Sequence, residues 1–247
     1  IHIEKCAGTT LHHTLKYNFP GYLVLRPCYY WSNEKGNNLS FIELKIIKMF
    51  YPFLSGIGGH TARTYNGYET LTKKPITYFT FLRDPIKRYM SHYNHQVNKM
   101  NINWDLDEFI NDVRFNNFMT RRIAGKEDIE LAKKRLVEDY DFVGLFESFN
   151  ESLVLLNYFS FDNKTDLLYE HKNSSTNENK TTYLNLPTEI KNKIENNNKL
   201  DIELYDFVLN QLYPKQVSDF PYSLPQKIIE FEYKNKNYKY NYVRQNI

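Results

Sequence analysis

Apolar and polar positions alternate between two periods over the first 160 residues. Short runs of four to eight apolar residues read as strands at Ile1–Lys5, Tyr22–Arg26, Gly56–Gly59, Ile76–Arg83 and Asp141–Phe146. Amphipathic stretches between and after them predict helices over Thr9–Tyr17, Phe41–Phe50, Pro85–Asn98, Leu106–Val113, Glu127–Glu138 and Phe149–Tyr158. Strands such as ITYFTFL are apolar throughout, as expected of a parallel sheet covered on both faces. The alternation predicts an α/β fold: three α/β/α layers around a central, mainly parallel sheet. Ligands in such folds bind beyond the carboxyl ends of the strands. The loops after the first, third and fourth strands are therefore where chemistry is expected.

From Asn163 to Asn185 the pattern breaks into a polar stretch rich in Asn, Lys, Ser and Thr, which reads as a long loop. Helices follow over Pro187–Glu195, opened by a proline, and Leu200–Leu212. After Pro214 the run IIEFEY, KNKN, YKYNYV reads as a β-hairpin tail. This divides the chain into a main domain over 1–213 and a C-terminal extension over 214–247.

At 247 residues, 41% hydrophobic and 25% charged, the chain has the makings of an ordinary globular core. A net charge of +3 is too small to argue for a nucleic-acid partner, but it suits an anionic ligand. The two cysteines, Cys6 and Cys28, make neither a disulfide framework nor a zinc site. No apolar run approaches the roughly 18–20 residues of a membrane span. The chain opens inside a strand without a methionine, so a preceding segment is expected. The compartment is left open: cytoplasmic for a bacterial protein, Golgi lumen for a eukaryotic one that has lost an N-terminal anchor. Oligomeric state is equally open.

Three segments carry candidate chemistry. In EKCAGTTL, strand, loop and helix N-terminus succeed one another, an arrangement that cradles phosphate on free backbone N–H groups and the helix dipole. Lys5 supplies charge, Gly8 close backbone approach, and Thr9 and Thr10 hydroxyls, with Ala7 between. The lysine precedes the glycine, so the loop is not a Walker A loop. In FLRDPIKRYMSHY, Arg83 ends an apolar strand and Ser91 lies eight residues on, in the next helix. Together they can hold a second phosphate through a guanidinium fork and a hydroxyl. In SGIGGHTARTYNGY, His60 stands at a strand end among small residues, where a neutral imidazole could take a proton. Arg63 and Tyr65 in that loop are candidates for binding an acceptor.

Lys-x-x-Gly-Thr-Thr after the first strand is similar to the 5′-phosphosulfate loop of sulfotransferases that use 3′-phosphoadenosine 5′-phosphosulfate (PAPS). The Arg83–Ser91 pair resembles their 3′-phosphate motif. The nearest branch holds the carbohydrate 2-O-sulfotransferases and many bacterial sulfotransferases. LDEFI, NNFMTRRIAG, DFVGLFESFNESL and KLDIELYDFV follow in that branch's order. The resemblance implies a P-loop-NTPase-like sulfotransferase fold, with PAPS as donor, adenosine 3′,5′-bisphosphate (PAP) as product, and no metal. It implies that Lys5 meets the sulfuryl group and leaving phosphate, that Gly8, Thr9 and Thr10 hold the 5′-phosphate, and that Arg83 and Ser91 hold the 3′-phosphate. His60 would be the base for an acceptor hydroxyl, with a sugar favoured. A basic, serine-bearing segment that closes over the nucleotide in the family would fall at Lys172, Asn173 and Ser174. The family often has proline before the lysine; here the residue is Glu4, an awkward neighbour for a phosphosulfate. Two other classes compete: a kinase-like phosphotransferase, which needs a Walker loop and a magnesium carboxylate, and a non-catalytic module that binds anionic glycans.

Overall fold

A computed structural model describes residues 1–25, 38–170 and 180–240. Helix α1 (Gly8–Asn18) leads to strand β1 (Tyr22–Leu25). Helix α2 (Phe41–Phe50) then leads to strand β2 (Gly56–Gly59). Strand β3 (Phe79–Leu82) runs into helix α3 (Pro85–Asn98). After α4 (Leu106–Asn111), α5 (Phe118–Ala124) and α6 (Ile129–Glu138) comes strand β4 (Phe142–Leu145). The rest is helical: α7 (Phe149–Phe161), α8 (Thr188–Asn197), α9 (Lys199–Phe207), a π-helical turn over Val208–Leu212, α10 (Tyr213–Asp219) and α11 (Leu224–Asn235).

Local chemistry sets many of these boundaries. Ser40 and Glu43 form a reciprocal capping box that opens α2, and Asp105 and Glu108 do the same for α4. Asp84 accepts from the Lys87 N–H and Pro85 occupies the first turn, so α3 begins immediately after the strand that carries Arg83.

The strands form two parallel pairs. β1 lies beside β2 with Tyr22 opposite Gly56, and β3 beside β4 with Phe79 opposite Phe142. Among the described residues the expected single sheet is not seen. Residues 1–3 have no regular strand geometry, and Glu4 and Lys5 are a turn, so the strand read at Ile1–Lys5 is corrected. The segment nonetheless runs between the pairs: the Ile1 nitrogen donates to Phe79 O at 2.6 Å and the His2 N–H to Gly59 O at 3.1 Å. Three residues between two partners are too few for a ladder, but enough to hold the following loop at the carboxyl ends of β2 and β3.

The main core joins Phe81, Leu82, Phe142 and Leu145 of β3 and β4 to Leu11 and Leu15 of α1, Met119 and Ile123 of α5, and Leu155 and Leu156 of α7. A second cluster under α3 gathers Tyr89, Tyr93, Phe109, Phe115 and Ile194.

The C-terminal segment is also corrected: IIEFEY lies in α11, not in a hairpin. Leu224, Ile228 and Phe231 recur at helical spacing and pack on the main core, while Ile229 and Tyr233 face solvent. The strand-like alternation of aromatics was overridden by burial at a 3.6-residue period. The described residues of the polar stretch form no helix or strand before a short 3-10 turn over Tyr183–Asn185, as expected of a loop, though Leu167 is buried in the main core. His171, Lys172, Asn173 and Ser174 lie outside the described residues, as does Cys28.

Candidate active site

The loop between residue 3 and α1 is built on strained backbone. Lys5 and Ala7 have φ of 71° and 63°, in the left-handed region. The other described non-glycine residues with positive φ are Asn101, Asn117, Asp162 and Asn163, types that tolerate it. Lys5 and Ala7 have no such excuse, and strain of this kind gathers at functional sites. Ala7 is the N-cap of α1 and has no side chain to offer the first-turn N–H groups, and no acidic residue lies in that turn. The N–H groups of Gly8, Thr9 and Thr10 therefore have no side-chain cap at the amino end of the helix, the kind of donors an anion can use.

Gly8 has a specific reason to be glycine. A Cβ there would sit 1.7 Å from Nε2 of His2, whose ring is hemmed in by His12 and His60. Gly8→Ala is expected to cost about 1–3 kcal/mol by overpacking, read as a lower Tm. An unchanged Tm would mean that the His2 ring moves aside freely.

One cleft of about 770 Å³ is lined by Lys5, Arg83 and Ser91 together. Arg83 is held from two directions: Nη1 donates to Lys5 O at 3.1 Å, and the guanidinium lies 4.3 Å from the Phe146 ring centre. Its Nε is buried without a hydrogen-bond partner. Burial, helped by Lys99 and Arg83, brings the Lys5 ammonium down to about 8. Lys87, His95, Lys99 and Lys180 also line the cleft, with Asp84 and Glu195, so its cations outnumber its carboxylates. Asn94 pins one wall with a two-way amide contact, donating to Thr181 O at 2.8 Å and accepting from the Thr181 N–H at 3.0 Å. Gly8, Thr9 and Thr10 follow Lys5 in the chain but do not line this cleft.

The α3 residues Lys87, Asn94, His95 and Lys99 were not singled out from the sequence. The signal was available: 87, 91, 95 and 99 repeat every four residues and share one helix face with Ser91.

His60 lies on the other side of the loop and does not line the cleft. Its Nδ1 is 3.1 Å from His2 O, and a carbonyl can only accept, so Nδ1 carries the hydrogen. Nε2 is left with its lone pair. The His2 ring lies against His60 at a tilt, with centres 4.3 Å apart, His2 Nδ1 meets His12 Nε2 at 3.1 Å, and His12 Nδ1 meets the Tyr22 hydroxyl at 2.8 Å. Burial and the neighbouring rings hold His2 far below the usual histidine range, and burial brings His12 down to about 3. These two rings therefore stay neutral and act as a packed backing.

Glu4 turns away from the cleft. Oε1 accepts from Arg122 Nη2 at 2.6 Å and Oε2 lies 3.5 Å from His60 Nδ1. The carboxylate beside the lysine thus faces His60 and α5, which removes the conflict with a bound anion. Arg122 was not singled out from the sequence, and no local pattern ties residue 4 to residue 122.

Arg63 is corrected. Expected to meet an acceptor, it is only 3% exposed, and its Nη1 donates to His60 O at 2.8 Å and Ala62 O at 2.7 Å. It braces the His60 loop from inside. Tyr65 is partly exposed, with the Arg135 guanidinium 3.8 Å over its ring. Cys6 is buried, and burial pushes its thiol up to about 12, so it stays protonated.

The strained loop at the amino end of α1 and the cleft shared by Lys5 and Arg83 suit an anionic ligand. The model of the sulfotransferase family matches residues 1–208, and the chain belongs to that family. No curated protein matches the chain. Membership makes the protein a transferase of sulfuryl groups. No described helix is long and apolar enough to cross a membrane.

Proposed function

We propose that the protein moves a sulfuryl group from PAPS to the hydroxyl of a carbohydrate acceptor, with His60 as base and Lys5 at the leaving phosphate. One observation carries the donor half: Lys5, Arg83 and Ser91, distant in sequence, line a single basic cleft. The chemistry of that donor set fits a nucleotide with two phosphate positions. Arg83 brings a half-buried guanidinium with an unpartnered Nε and Ser91 a hydroxyl, while the uncapped N–H groups of the α1 N-terminus follow Lys5 in the chain, outside that wall.

When bound, the donor nucleotide supplies the sulfuryl group, and PAP departs. The residues of this chain do the rest. His60 Nε2 takes the proton of the acceptor hydroxyl as that oxygen bonds to sulfur. The bond from sulfur to the bridging oxygen breaks, and its electron pair stays on the departing phosphate. The Lys5 ammonium offsets that charge, aided by the α1 N-terminus, as preorganised electrostatic stabilisation. Nδ1 keeps its proton, donated to His2 O, throughout. Arg83 and Ser91 hold the nucleotide so that transfer is in line. These groups cover the anion's charge without a metal. A sugar hydroxyl is favoured by the likeness to the 2-O-sulfotransferase branch.

Binding of PAP tests the donor half. At 100 times its Kd it is expected to stabilise the fold by about 2.7 kcal/mol, a Tm rise of about 5–10 °C. Lys5 loses its charge above about pH 8, and an anion favours the charged form, so the rise shrinks as pH climbs past 8. Lys5→Arg, which stays charged, removes that decline. No shift with PAP counts against the reading, whereas a shift with ATP and Mg²⁺ alone favours a phosphotransferase.

A further inference from the structure

We propose that Glu4 is a positioning residue for His60: it supplies the counter-charge for the imidazolium that forms during transfer, while Arg122 sets where its carboxylate sits. This rests on the reading of His60 as base.

The geometry is specific. Oε1 of Glu4 is committed to Arg122 at 2.6 Å. Oε2 is buried without a hydrogen bond and lies 3.5 Å from His60 Nδ1. In the resting state Nδ1 donates to His2 O instead, so Oε2 is a spare acceptor beside the ring. A buried carboxylate oxygen without a donor is costly. It gains its partner charge when Nε2 takes a proton and the whole ring becomes cationic. The charge then spreads over both nitrogens, and Oε2 is its nearest anionic atom. Arg122 is itself fixed, with its guanidinium 4.7 Å over the Phe118 ring, so the carboxylate cannot swing toward the cleft.

Among the described residues, the other ionisable groups named around the ring are neutral or repel a cation. His2 and His12 face it from the segment before the loop and from α1, and both are held neutral. Arg63 comes from the ring's own loop and donates to His60 O. Arg122 comes from α5 and Lys5 from the phosphate loop. Glu4 is thus the counter-charge placed beside the ring. The next residue, Lys5, serves the leaving phosphate on the other face of the same turn. The positive φ at Lys5 is what separates the two side chains.

Glu4→Gln keeps the shape and removes the charge. Its kcat is expected to fall roughly tenfold to a hundredfold, the range of comparable supporting contacts, with the KM for donor nearly unchanged. The acid limb of the kcat/KM profile should move about one unit toward lower pH. Arg122→Gln frees the carboxylate's charge and should move that limb the opposite way. A merely structural role would move both variants alike. Ring-¹⁵N histidine NMR follows the same transition without catalysis, with His60 releasing its second proton at lower pH in Glu4→Gln and at higher pH in Arg122→Gln. If Glu4→Gln folds poorly, Glu4→Gln/Arg122→Met removes both buried charges together and should still move the transition to lower pH.

An unmoved NMR transition in the folded variants overturns the proposal. Opposite shifts in the two single variants uphold it. A fully active His60→Ala would instead sink His60 as base, and the NMR transition then decides separately whether Glu4 governs the ring.

Discussion

His60→Ala is expected to lower kcat by roughly 10²–10⁴-fold, the usual worth of a positioned general base. PAP binding should stay near the wild-type value, because His60 does not line the cleft that holds Lys5, Arg83 and Ser91. The separation is the informative part. His60 hydrogen-bonds to His2 O and lies against the His2 ring, so a variant that disturbed the phosphate loop would lose nucleotide affinity as well. Single-turnover transfer and a PAP thermal shift measured on the same preparation distinguish the two. Turnover at the wild-type rate would remove His60 from the chemistry.

The second large effect belongs to Arg83. Its guanidinium is held by Lys5 O and the Phe146 ring, with Nε still free to donate. A charged hydrogen bond of this kind contributes about 1.5–3 kcal/mol, so Arg83→Ala should weaken PAP binding roughly tenfold to a hundredfold. Adenosine 5′-phosphosulfate, which lacks the 3′-phosphate, should lose far less. The comparison matters because Arg83 also braces the loop through Lys5 O. Equal losses for both nucleotides, measured by calorimetry, would mean that Arg83 supports the loop and does not read the 3′-phosphate.

The elements that could be read from the sequence are those whose signals are local. α2, β2 and α3 begin and end where the periodicity and the capping residues place them. The loop around Lys5 was legible because a lysine, a glycine and two threonines before a helix are informative within six residues. Arg83 and Ser91 were legible as a pair because one helix sets their spacing. α5 was not anticipated, and the tail was misread, because in both cases burial against distant helices decided between two periods that short apolar segments satisfy about equally well.

The side-chain directions around the loop were decided by tertiary structure. Glu4 next to a phosphate pocket made no sense as sequence, since strand alternation says nothing about a turn with positive φ at the next residue. The fold turns it toward Arg122, 118 positions away, and toward His60. Arg63 shares a loop with His60, yet it is drawn inside by two carbonyls that its position in the chain does not reveal. Sequence alone thus determined which segments carry candidate chemistry, because those signals lie within one turn or one helix. Only packing across the whole chain decided which of them face the cleft, which brace it, and why a carboxylate belongs beside the lysine.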